Sequence, residues 1–101
     1  MSLQYILSAP AYQYGVWQIK ETVPDLEKLS GCQSPDRLTH PARQAEYLAI
    51  RALARVMGIN PNDIHYHSSG KPYLEHSSRA VSFSHTKGYA SLVISDTEEA
   101  G

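Results

Sequence analysis

A single cysteine, Cys32, stands in the whole chain, so no internal disulfide can form and no thiolate zinc site can be built. That usage fits a reducing compartment. The cysteine itself reads as a small, half-buried loop residue, because no reactive-thiol motif surrounds it. Long apolar runs are missing too: the N-terminal MSLQYILSAP has no basic leader region, and no later segment approaches the length needed to cross a bilayer. A cytoplasmic protein without membrane contact is expected. Basic excess is also absent, since nine Lys and Arg against ten Asp and Glu leave a net charge of -1. The balance removes the usual electrostatic case for a nucleic-acid binder, and any anion site has to be local. No internal repeat, low-complexity tract or linker divides the chain.

What remains is a globular composition, 42% hydrophobic and 19% charged, over 101 residues, enough for one domain with a modest core. Leu3 to Leu7 and Tyr14 to Ile19 are rich in β-branched and aromatic residues and read as neighbouring strands. Leu26 and Leu29 stand at helical spacing within Val23 to Ser30. The clearest element runs from 41 to 58, PARQAEYLAIRALARVMG, opened by Pro41 and closed by Gly58. Ala45, Leu48, Ala49, Ala52, Leu53 and Val56 form its apolar face, and Arg43, Tyr47, Arg51 and Arg55 step along the opposite side. After the turn INPND come strands near Ile64 to His67, Tyr73 to Leu74, Ala80 to Phe83 and Tyr89 to Ser95. This order predicts an α+β fold, with one long helix packed on a mostly antiparallel sheet.

Three segments carry chemistry, and each also has a plain structural account. The arginine stripe reads either as a solvated helix face, with Arg43 and Glu46 paired at i,i+3, or as guanidinium forks offered to a phosphate. Gly70-Lys71-Pro72 is either a surface hairpin or a turn that lets backbone and a point charge approach a ligand. Ser84-His85-Thr86-Lys87-Gly88 follows the apolar AVSF and gathers hydroxyl, imidazole and ammonium donors at a strand end, as phosphate oxygens require; the alternative is a hairpin turn with a satisfied histidine. His65 and His67 share a strand face, yet no third metal ligand is evident. Asp96, Glu98 and Glu99 read as a strand-ending turn rather than a magnesium site.

In this order, RQAEYLAIRALARVMG, SSGKPYL and AVSFSHTKGYASLVIS resemble the N-terminal half of a 4′-phosphopantetheinyl transferase of the large two-lobed type, within the holo-acyl-carrier-protein synthase superfamily. The resemblance covers residues 40 to 101; residues 1 to 39 match only in their strand-first layout. It implies one lobe of the transferase fold, in which Gly70, Lys71 and Pro72 flank the adenine of coenzyme A, with Lys71 also near phosphate. Ser84 and His85 would meet the phosphates, Arg43 the 3′-phosphate, and Lys87 a further phosphate oxygen. Arg51 matches a recurrent arginine of structural role. The family's next motif, Gly-Ile/Val-Asp-x-Glu, holds Mg²⁺ and would begin at Gly101, where this sequence stops. The metal ligands and catalytic residues are therefore expected to be absent.

Family chemistry moves phosphopantetheine from coenzyme A to a serine of an acyl or peptidyl carrier protein. A lone N-terminal lobe is expected to bind the nucleotide end of coenzyme A, to be inactive by itself, and to form a homodimer or aggregate through the surface the missing lobe would cover. Two other classes stay open: a non-catalytic coenzyme A or nucleotide-binding module, and a structural α+β interaction domain.

Overall fold

A computed structural model of the protein describes residues 3–9, 11–75, 79–86 and 88–95, without the side chains of residues 3–5. Two strands, β1 (Leu3–Ala9) and β2 (Tyr12–Gln18), form an antiparallel hairpin in which Leu7 pairs with Tyr14. Helices α1 (Val23–Ser30) and α2 (Pro41–Val56) follow. A turn of 3-10 helix, Pro61–Asp63, leads into β3 (Ile64–Tyr66) and β4 (Pro72–Leu74), and the chain returns through β5 (Ala80–Thr86) and β6 (Tyr89–Ser95). The α+β class and the antiparallel pairing agree with the sequence, but the helical layer holds two helices rather than one long one. The strands also divide: β1-β2-β6-β5 make a four-stranded sheet, while β3 and β4 form a separate two-stranded ribbon.

Both helices begin and end on local signals. Thr22 Oγ1 accepts the Asp25 N–H at 3.4 Å, and Gly31, at φ 72°, closes α1 with its N–H on the Glu27 carbonyl. His40 opens α2, its Nδ1 accepting the Ala42 N–H at 3.2 Å, with Pro41 in the first turn. The helix stops at Val56, two residues before the sequence suggests. Gly58, at φ 86°, turns the chain so that the Ile59 N–H reaches back to the Ala54 carbonyl at 2.9 Å.

Alternation along β6 sends Ala90, Leu92 and Ile94 toward α2, where they meet Trp17, Leu48, Ile50 and Leu53 in the core. Gly15 makes the approach possible, because a Cβ there would stand 2.8 Å from Met57 Sδ and 2.9 Å from Leu53 Cδ1. The buried face of α2 is wider than its heptad spacing suggests. Ile50, Ala54 and Met57 are buried with Leu48, Ala49, Ala52 and Leu53, whereas Val56 is 41% exposed. Since α1 packs on one side of the helix and the sheet on another, an apolar stripe for a single contact underestimates what is covered. Leu7 and Tyr12 stand exposed on the sheet, and their register puts them with Tyr14 and Tyr89 on the face away from the helices. No helix among the described residues is long and apolar enough to cross a membrane.

Candidate functional site

The first half of α2 and the helix-facing side of β5 enclose a cleft of about 150 Å³. Arg43, Glu46, Tyr47, Ile50 and Arg51 line it from α2; their spacing of three and four places them on one helix face. Phe83 and His85 line it from β5, two residues apart and so on one side of the sheet. Tyr66 at the end of β3 and Arg37 and Leu38 in the segment before α2 complete the wall. That segment is tied down by the Gln44 side-chain amide, which donates to the Leu38 carbonyl at 2.7 Å.

The floor of the cleft is a buried cation. Arg51 is only 3% exposed, which departs from the solvated stripe that its spacing suggests. Its guanidinium carbon lies 3.6 Å from the centroid of the Tyr47 ring, and Nη2 donates to the Tyr66 hydroxyl at 2.9 Å. Nη1 donates to the Tyr47 carbonyl at 3.3 Å. Tyr66 is braced in turn by Phe83, edge to face, at a centroid distance of 6.1 Å. All of Arg51's partners are neutral, and among the described residues no carboxylate pairs with it. A guanidinium held by neutral partners alone has much of its desolvation cost left uncompensated.

His85 supplies an imidazole to the same wall. Its Nδ1 lies 2.7 Å from Glu46 Oε2, which leaves Nε2 as the ring nitrogen free for a ligand. Glu46 therefore pairs across to β5 and not with Arg43, as the i,i+3 spacing suggests. Three guanidinium groups and an imidazole face one carboxylate here. Arrangements of this kind hold anions through charge-assisted hydrogen bonds, and a phosphate group carries the forked acceptors that guanidinium donors match.

Of the residues that the resemblance assigns to coenzyme A, the cleft brings together Arg43 and His85, and of the arginine stripe it also takes in Tyr47 and Arg51. Ser84 is on the opposite face of β5, with its hydroxyl 2.8 Å from that of Ser91, so the strand end does not gather its donors as expected. It lines a second cavity of about 330 Å³ together with Tyr14, Thr86 and Tyr89. Gly70, Lys71 and Pro72 form the exposed turn of the β3–β4 ribbon. Gly70 is at φ 91° there, and the Lys71 carbonyl accepts the His67 N–H at 2.9 Å. None of the three lines the cleft. Lys87, Asp96, Glu98 and Glu99 lie outside the described residues.

His65 and His67 are engaged elsewhere, His65 Nε2 with Glu75 Oε2 at 2.7 Å and His67 stacked on Tyr73 at 4.4 Å. Among the described residues no three His, Cys, Asp or Glu side chains converge on a metal position. Sequence reasoning passed over Arg37, Tyr66 and Phe83. A signal for Tyr66 existed: it is two residues after the buried Ile64, on the same strand face. Compared with protein-family models and with curated proteins, the chain matches none.

Proposed function

We propose that the chain is the coenzyme A-binding N-terminal lobe of a 4′-phosphopantetheinyl transferase, and that the α2–β5 cleft receives the 3′-phosphate. One observation carries this reading: a buried guanidinium, Arg51, with no carboxylate partner among the described residues, faces a cleft that also collects Arg37, Arg43 and His85. An anion entering there supplies the missing counter-charge, and each charge-assisted hydrogen bond it forms contributes about 1.5–3 kcal/mol. Arg43 and Arg37 offer forked donors, His85 offers Nε2–H when its ring is protonated, and Arg51 provides charge from below. Lys71, on its separate ribbon, approaches the adenine end together with Gly70 and Pro72. The Ser84 hydroxyl takes no part in the cleft, because it faces the other side of the sheet.

Phosphopantetheine transfer by the family draws on Mg²⁺, yet the described residues offer no cluster of ligands for it. The role assigned to this chain is confined to binding, and the carrier-protein serine and the metal are met elsewhere. On the same reading, the sheet face that carries Leu7, Tyr12 and Tyr89 packs against the second lobe or a second copy of the chain.

Calorimetric titration with coenzyme A and with dephospho-coenzyme A tests the assignment. Coenzyme A should bind at least about tenfold more tightly, the effect of one such hydrogen bond, and Arg43→Ala should remove the difference. Equal affinities for the two ligands would take the 3′-phosphate out of the cleft.

A further inference from the structure

The pairing of His85 with Glu46 decides which nitrogen of the imidazole carries a proton. With Nδ1 placed 2.7 Å from a carboxylate oxygen, the proton of the neutral ring belongs on Nδ1, since a bare nitrogen lone pair against a carboxylate is repulsive. Nε2 is then a lone pair. His85 lines the cleft, and in this tautomer the ring nitrogen not engaged by Glu46 is an acceptor, so an anion that approaches it meets repulsion instead of a hydrogen bond. Only the imidazolium, with a second proton on Nε2, can donate to it.

We propose that Glu46 is a positioning residue that couples anion binding in the cleft to uptake of one proton at His85 Nε2. This inference rests on the reading of the cleft as an anion site. The surroundings are consistent with a single coupled proton. The charged and titratable groups that share the wall with His85 are Arg37 from the preceding segment, Arg43, Glu46, Tyr47 and Arg51 from α2, and Tyr66 from β3; guanidinium and phenol side chains as classes do not titrate near neutral pH. Cross-strand from His85, β6 contributes only Ala90. Within this wall His85 and Glu46 are the groups whose charge can change, and histidine is the side chain whose ordinary titration falls near neutral pH. Glu46 thus has two effects: it orients the ring, and it prevents the neutral ring from offering its proton to the ligand.

Inorganic sulfate is the suitable probe, because it keeps its double charge across the histidine range and any pH dependence must come from the protein. Sulfate affinity of the whole chain is measured by nuclear magnetic resonance titration between about pH 6 and pH 8.5, bracketing histidine ionisation. Above that ionisation the wild-type affinity should fall about tenfold per pH unit, the slope of one coupled proton. Glu46→Ala frees the ring to hold its proton on Nε2, and its slope should flatten because affinity is retained at high pH. Glu46→Gln, whose amide oxygen still accepts from Nδ1–H, should keep the slope. His85→Asn should lose the coupled proton, and its remaining slope measures the other four histidines, His40, His65, His67 and His76.

The ring nitrogen shifts of His85 at high pH give a readout that a merely structural role would not move. They should show protonated Nδ1 in the wild type and a shift toward protonated Nε2 in Glu46→Ala. Sulfate binding without a pH slope, or with a slope that Glu46→Ala leaves intact, overturns the coupling while the anion site stands. Failure of sulfate to bind at any pH overturns both.

Discussion

Arg51 lies over the face of Tyr47, its guanidinium carbon 3.6 Å from the ring centroid, while Tyr66 from β3 caps it with a 2.9 Å hydrogen bond. A buried cation surrounded by neutral partners contributes little to stability, because the aromatic and hydroxyl contacts offset only part of the solvation it gave up. Arg51→Met replaces it with an apolar chain that fills similar space. The Tyr66 hydroxyl then turns to water, as its ring is 41% exposed. We expect unfolding by urea to change by less than about 2 kcal/mol, in either direction. Anion affinity should fall by about tenfold or more over the same substitution. A variant that unfolds outright would make Arg51 a structural residue.

Lys71 and Ser84 separate the parts of the ligand. Neither lines the cleft, so Lys71→Ala and Ser84→Ala should both leave inorganic sulfate affinity unchanged, whereas Arg43→Ala weakens it. For intact coenzyme A, Lys71→Ala should still cost about 1–3 kcal/mol through the lost contact at the nucleotide end. Parallel calorimetric titrations of the three variants with both ligands check this. Loss of sulfate binding in Lys71→Ala would bring the ribbon into the anion site.

Gly15 stands where α2 crosses β2, and its missing Cβ makes room for Met57 Sδ and Leu53 Cδ1. Gly15→Ala overpacks this crossing and should destabilise the fold by about 1–3 kcal/mol. Met57→Ala opens a gap on the other side, so the double variant should be more stable than the sum of the single changes predicts. Denaturant unfolding of the four proteins of the cycle measures that coupling. Strict additivity would mean that the contact does not limit how closely the helix approaches.

Leu7 is 52% exposed on the face of the sheet that the helices leave open, and Tyr12, diagonal to it across the β1–β2 hairpin, shares that face. If a second copy covers this face, Leu7→Lys together with Tyr12→Lys should shift sedimentation toward the monomer and leave the circular dichroism unchanged. Sedimentation that does not respond would exclude this face as the contact.

The elements with local punctuation were legible in the sequence. Val23–Ser30 has Thr22 and Pro24 at one end and Gly31 at the other, and Pro41 marks the start of α2. The extent of β5 was not. Its apolar residues end at Phe83, but the backbone ladder continues through Ser84 and His85 to Thr86, opposite Ser91, Ala90 and Tyr89. Cross-strand pairing, not hydrophobicity, sets that length, and with it the fact that Ser84 and His85 face opposite ways. Burial of Arg51 was equally out of reach, because the Tyr66 that covers it arrives from a strand beyond the end of the helix. Arg43 and His85 were found from residue type and setting, but their meeting in one cleft depends on how α2 lies across the sheet.

β6 is the last strand among the described residues, yet it lies between β2 and β5 and pairs Tyr12 with Ser95 and Thr86 with Tyr89. On the ribosome, then, the sheet cannot assemble in the order of synthesis: the first hairpin and both helices emerge long before the strand that joins them to β5. Until it arrives, β2 and β5 each have an unpaired edge that another nascent chain can pair with. The hairpin and the His85 wall of the cleft are joined in one sheet only when β6 is in place between β2 and β5.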